Sequence, residues 1–87
     1  MTFDWYKIIN QAEFLAEELV SKNVSLILES IGQVEVLVTK GNVVSITYDG
    51  VMLGIGVTDA NPFVFDGYAV YLDDVNGDIW LGVPVEA

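Results

Sequence analysis

Phe3-Asp4-Trp5-Tyr6-Lys7-Ile8-Ile9-Asn10-Gln11-Ala12-Glu13-Phe14 is the stretch on which the fold class turns. Asn10 is placed to cap the amide of residue 13, and Glu13 to reach back to the amide of Asn10, a reciprocal pair that opens helices. Ile9 and Phe14 stand at the staple positions on either side. The spacing predicts a helix from about residue 11 to 21. Ala12, Leu15, Ala16 and Leu19 recur at helical spacing as its buried stripe, with Glu13, Glu17 and Glu18 toward water. Lys22 suits the negative end of the helix dipole, and Asn23 is placed to end the helix. Residues 3–9 are dense in large apolar groups, and Thr2 or Asp4 offers a cap for a short helical turn there. The expectation is a helix broken at Asn10, with one uninterrupted helix as the alternative. Trp5 and Tyr6 then either cover a sheet or form a binding surface.

Everything after that reads as strand and turn. Val24, Leu26 and Leu28 alternate with Ser25, Ile27 and Glu29, and Val34, Val36 and Val38 with Glu35, Leu37 and Thr39, the period of half-buried strands. Ile31-Gly32-Gln33 and Lys40-Gly41-Asn42 are the turns between them. Asp49-Gly50 is a two-residue hairpin signal, because its turn type needs positive φ at both positions. That turn sets Tyr48 opposite Val51, Ile46 opposite Leu53 and Val44 opposite Ile55, giving one apolar face. The other face holds Thr47, Ser45, Met52, Gly54 and Gly56. It is small and flat, open to close approach by a helix, a second sheet layer or a partner, unless the glycines mark a bend. Asp66-Gly67 is a second Asp-Gly turn. Asn76-Gly77, read the same way, sets Leu72 opposite Leu81 and Val70 opposite Val83, and Pro84 ends the pairing or sits on an edge. Helix first and strands afterwards predicts a single α+β domain over residues 1–87: the helix packed on a strongly bent antiparallel sheet, or small barrel, of about six or seven strands.

The charge is one-sided. Thirteen carboxylates face three lysines, for a net −10, and there is no arginine, histidine or cysteine. Residues 1–40 hold all three lysines, whereas residues 41–87 hold seven acids and no base. Direct nucleic-acid binding needs clustered cations and is excluded on this ground. Binding to an anionic membrane surface is disfavoured likewise. A protein partner remains, a basic one or a second copy of this chain. A domain this small buries only about 60–65% of its unfolded surface. An apolar fraction of 53% is therefore consistent either with a well-packed monomer or with a chain that covers itself with a copy. No basic region followed by an apolar run opens the chain. Residues 50–58, the longest uncharged apolar-rich run, fall short of the roughly 20 residues a membrane helix needs. With no cysteine, the expected location is the cytoplasm. Asn23-Val24-Ser25 matches a glycosylation triplet, which has no meaning without a secretory route.

Chemistry is constrained by what is missing. A serine nucleophile has no histidine to activate it, and no glycine loop leads into a lysine-bearing helix. Asp74-Val75-Asn76-Gly77-Asp78 places oxygens at alternate positions as a calcium loop begins, making Asp74, Asn76 and Asp78 the metal candidates. The match then fails, with Ile79 where glycine belongs and Val85 where glutamate belongs, so a polar turn is the better reading. No cofactor is expected. Close carboxylate pairs keep a carboxylate-dependent hydrolase as a remote alternative. Asp49, Asp59, Asp66, Asp73, Asp74 and Asp78 all fall on turns. Lining one rim, they would imitate a phosphate backbone and block a nucleic-acid groove on a host protein. Solvated turn residues are the simpler account.

Trp5-Tyr6-Lys7-Ile8, the cap from Asn10 to Phe14, Val38-Thr39-Lys40-Gly41-Asn42 and Gly77-Asp78-Ile79-Trp80-Leu81-Gly82 together resemble small uncharacterised proteins of bacteriophage and prophage genomes. The resemblance implies an intracellular protein from a phage gene, a class that includes virion assembly parts and short inhibitors of host defences. It assigns no functional residue. The sequence thus predicts a non-enzymatic, acidic interaction domain: an assembly component that self-associates, or else an acidic inhibitor of a host DNA- or RNA-binding protein. Trp5 and Tyr6, then Met52, Gly54 and Gly56, then Trp80 are the contact candidates.

Overall fold

A computed structural model describes residues 2–16, 20–41 and 43–85. The stretch on which the fold class turned is extended. Thr2–Asn10 forms strand β1, and helix α1 is Gln11–Ala16. The strands that follow are β2 (Ser21–Leu28), β3 (Gly32–Thr39), β4 (Val43–Tyr48), β5 (Val51–Val57), β6 (Phe63–Phe65), β7 (Tyr68–Asp73) and β8 (Asp78–Val85). They make two antiparallel four-stranded sheets, β1-β8-β7-β6 (sheet I) and β2-β3-β4-β5 (sheet II). The α+β expectation is therefore overturned. The protein is a nearly all-β stack of two open sheets, neither a helix-covered sheet nor a closed barrel.

The reason lies in β8. Ile79, Leu81 and Val83 alternate along it and are buried, so it is a central strand that needs a neighbour on each side. β7 supplies one and β1 the other, in a register from Thr2 opposite Val85 to Asn10 opposite Asp78, with a bulge between Lys7 and Ile9. Phe3, Trp5, Tyr6, Ile8 and Ile9 are strand formers, and that pairing supplies the backbone bonds that no helical turn then needs to provide. Asn10 does cap, with its Oδ1 accepting the Ala12 amide at 2.9 Å, but the described helix that it opens has six residues. It is far below the length that stands alone in water, and it is held by the buried Phe14 and by the Gln11 amide on Gly77 O at 2.8 Å. Ala12, expected in the stripe, is exposed. Lys22 and Asn23, expected at the helix end, lie in β2. The side chains of Leu15 and Ala16, and residues 17–19, lie outside the description.

The inner faces of both sheets form one core. Val34, Val36, Val38, Val44 and Ile46 of sheet II meet Ile8, Ile9, Val70, Ile79, Leu81 and Val83 of sheet I. Each such side chain, fully buried, contributes about 1.5–3 kcal/mol. Among the described residues, no buried side-chain polar atom lacks a partner. The two Asp-Gly turns form as expected, with positive φ at Asp49, Gly50, Asp66 and Gly67. The expected β4–β5 register holds at Tyr48–Val51 and Thr47–Met52, then breaks at a bulge between Ile46 and Thr47. Beyond it Ile46 faces Gly54 and Val44 faces Gly56, so the glycines turn to the core and Ile55 turns to water. Phe65 fills the space they leave. A Cβ at Gly54 or Gly56 would come within 2.6 or 2.5 Å of that ring. Among the described residues, no helix is long and apolar enough to cross a membrane.

Candidate functional site: an aromatic cleft on the outer face of sheet I

The alternation that buries Ile79, Leu81 and Val83 sends Trp80, Gly82 and Pro84 to the outer face of sheet I. Register then decides what joins them. β1 sets Trp5 opposite Gly82 and Lys7 opposite Trp80, and β7 sets Ala69 opposite Gly82 and Tyr71 opposite Trp80. Gly82 and Ala69 are the small floor on which the Trp5 indole lies. A Cβ at Gly82 would come within 2.8 Å of that ring and 3.2 Å of the Ala69 methyl, so only glycine admits this approach. Trp5 meets Tyr71 edge-on, with centroids 5.9 Å apart and planes at 63°, and Phe3 leans on its other side at 5.4 Å. Trp5, Tyr71 and Trp80 wall an apolar cleft of about 330 Å³. Trp5 and Tyr71 remain 43% and 39% exposed, so these rings do not serve the interior.

One row further along the same face is polar. Asp78 Oδ1 accepts from Asn10 Nδ2 at 2.8 Å and lies 3.4 Å from the Lys7 ammonium. Asn10 Nδ2 also donates to Asn76 O, which ties the end of β1 to the β7–β8 turn. Asp73, opposite Asp78, organises that turn. Its Oδ2 accepts from Asn76 Nδ2 at 2.9 Å, and its Oδ1 accepts the amides of Val75 and Asn76. The Asn76 side-chain bond, helped by those two amides and opposed by desolvation, holds the Asp73 carboxyl below the usual carboxylate range.

The contact candidates separate. Trp5 and Trp80 share this face. Tyr6 points the opposite way, packs on the core, and accepts the Glu29 amide on its hydroxyl at 3.2 Å, joining β1 to the β2–β3 turn. Met52 is exposed on β5, the edge of sheet II, while Gly54 and Gly56 lie under Phe65. Tyr71 and Phe3 were missed. The signal for Tyr71 was its place two residues before Asp73 on an alternating strand. An Asn76-Gly77 turn of two residues, however, set it opposite the wrong neighbour. The loop instead spans residues 74–77 between paired Asp73 and Asp78, closed by the Gly77 amide on Asp73 O at 2.6 Å with Gly77 at φ 75°. The pairs are then Leu72–Ile79 and Val70–Leu81, a slip of two residues that keeps each side chain on its expected face.

The turn acids do not form one rim. Asp59, Asp73, Asp74 and Asp78 sit at the end where β1 and β7 finish, and Asp49 and Asp66 at the opposite end. Of the metal candidates, Asn76 and Asp78 already have protein partners, and among the described residues no group of three metal-binding side chains converges. A second cleft, of about 410 Å³, has Asp4, Tyr6 and Glu29 in its lining, and both acids are exposed. The chain matches no protein-family model, no curated protein and no solved structure.

Proposed function

We propose that this protein is a non-enzymatic interaction domain of the cytoplasm, and that the aromatic outer face of sheet I is its contact surface. The convergence of Trp5, Tyr71 and Trp80 on one exposed cleft carries this reading. Aromatic side chains offer large, stiff contact area and dominate interface energetics. The side chains that turnover at neutral pH draws on, histidine and cysteine above all, are absent from the sequence. We take a virion assembly part, one of the classes that the resemblance to small phage proteins implies, as the first reading.

Self-association is a second reading, favoured by a different feature. β5 is an open edge with no charged residue, and Val51, Met52 and Ile55 are exposed along it. Such an edge is a template for pairing with another chain. Sedimentation of wild type beside Trp80→Ser and Met52→Lys separates the two surfaces. If β5 joins copies, Met52→Lys lowers the mass and Trp80→Ser leaves it unchanged. For the contact-surface reading, partners captured from the native host should be lost with Trp80→Ser and retained with Asn23→Ala on the opposite exterior. Capture that survives Trp80→Ser in a folded protein refutes it.

A further inference from the structure

We propose that the cleft between Trp5, Tyr71 and Trp80 receives a cationic side chain, arginine or lysine, from a basic segment of a partner protein. The inference rests on this face being the contact surface, and it names the chemistry that the face selects. Tryptophan is the strongest π partner for a cation, followed by tyrosine, and two indoles and a phenol wall this cleft. The field has the matching sign. β7 and β8, which carry two of the three rings, belong to the half of the chain with seven acids and no base. Asp73 and Asp78 continue the face one row beyond Tyr71 and Trp80, so two carboxylates neighbour the aromatic row on one side. Lys7 is the only basic residue in the four strands of sheet I. It stands opposite Trp80, with its ammonium 3.4 Å from Asp78 Oδ1, so the free protein already keeps one cation beside this aromatic row. A second copy on the same face would bring together two chains of net charge −10, whereas a basic segment relieves that repulsion.

The test is a titration of the whole chain with an acetylated, amidated peptide of alternating arginine and glycine. The control is the same peptide with citrulline, the neutral isostere, at each arginine. The indole N–H signals of Trp5 and Trp80 report binding. The arginine peptide should shift both signals, and the citrulline peptide should bind about 3-fold to 30-fold more weakly. Trp80→Leu keeps apolar bulk and loses the π face, so it should erase most of that preference. Tyr71→Leu serves the same purpose if Trp80→Leu does not fold. Lys7→Gln removes the resident cation and frees Asp78, so it should tighten the arginine peptide. If folded Trp80→Leu and Tyr71→Leu both bind that peptide as wild type does, net charge alone attracts it and the proposal falls. If both peptides shift the indoles equally, the face docks partners without reading charge. The proposal then fails and the contact-surface reading stands. Movement of the indoles with cellohexaose alone would assign the cleft to a glycan and overturn the proposal. If no ligand moves them and the monomer–dimer equilibrium depends on Trp80, a second copy covers the face and the proposal is again overturned.

Discussion

The two sheets present similar aliphatic interiors to each other and very different exteriors to water. On sheet II the outer face is knitted by Glu35, which accepts from Asn23, Ser25 and Gln33 at 2.9–3.3 Å. Ser45 and Thr47 continue that polar surface, in which Ile27 and Leu37 stand among hydrophilic neighbours, while Val51, Met52 and Ile55 are exposed along the β5 edge. On sheet I the same positions of the strand alternation hold Phe3, Trp5, Tyr71 and Trp80 over a glycine floor. Stability needs an interior and a wettable exterior. Sheet II meets that requirement away from its β5 edge, and sheet I departs from it. Exposed aromatic residues gathered on one face mark a candidate contact surface, whereas scattered aliphatic residues do not.

The largest expected effects fall on what the sheets share. Leu81→Ala in sheet I and Ile46→Ala in sheet II each leave a cavity at a fully buried position. Each should cost about 2–5 kcal/mol in urea unfolding. A clear inequality between them would mean that one sheet carries the core. Next comes Gly82→Val, which drives a side chain into the Trp5 ring. It should cost about 1–3 kcal/mol and move the tryptophan emission maximum, whereas Ser45→Ala on the other exterior should stay within about 0.5 kcal/mol. Equal effects would erase the contrast between the faces. Glu35→Ala should cost about 1 kcal/mol or less, since its bonds are exposed to competing water. A loss comparable to that of Leu81→Ala would make sheet II's polar network structural.

The smallest effect is local. Asp73 has a depressed pKa in the folded state, so its contribution is complete above the unfolded carboxylate pKa and is lost as pH falls through the folded value. Amide shifts of Val75, Asn76 and Gly77 should therefore titrate below about pH 4, and Asp73→Asn should remove that step. A titration unchanged in the variant would show that Asp73 is not its source.

Legibility differed between the two hairpins for a geometric reason. At β7–β8 the loop is two residues longer than the Asn76-Gly77 signal predicts, and because side chains repeat every second residue, every face stays as expected. At β4–β5 the turn is the one that Asp49-Gly50 predicts, yet one bulge residue exchanges the faces beyond it. Gly54 and Gly56 are the visible trace of that exchange, since only they leave room for Phe65. The site was half legible. Trp5 and Trp80 stood out as large aromatics, but Tyr71 joined them only through register across β8.

Composition and local pattern determined the acidity, the absent catalytic groups, the positive-φ turns and the aliphatic rows of β2, β3 and β4, because each depends on neighbours a few residues away. Tertiary structure decided that residues 2–10 form a strand, which way β5 faces, and that three aromatic rings meet. The facing of β5 rests on the β4–β5 bulge and on the Phe65 ring over Gly54 and Gly56, whereas the other two rest on backbone bonds between Thr2–Asn10 and Asp78–Val85, and a strand so paired has no partner until the far end of the chain arrives.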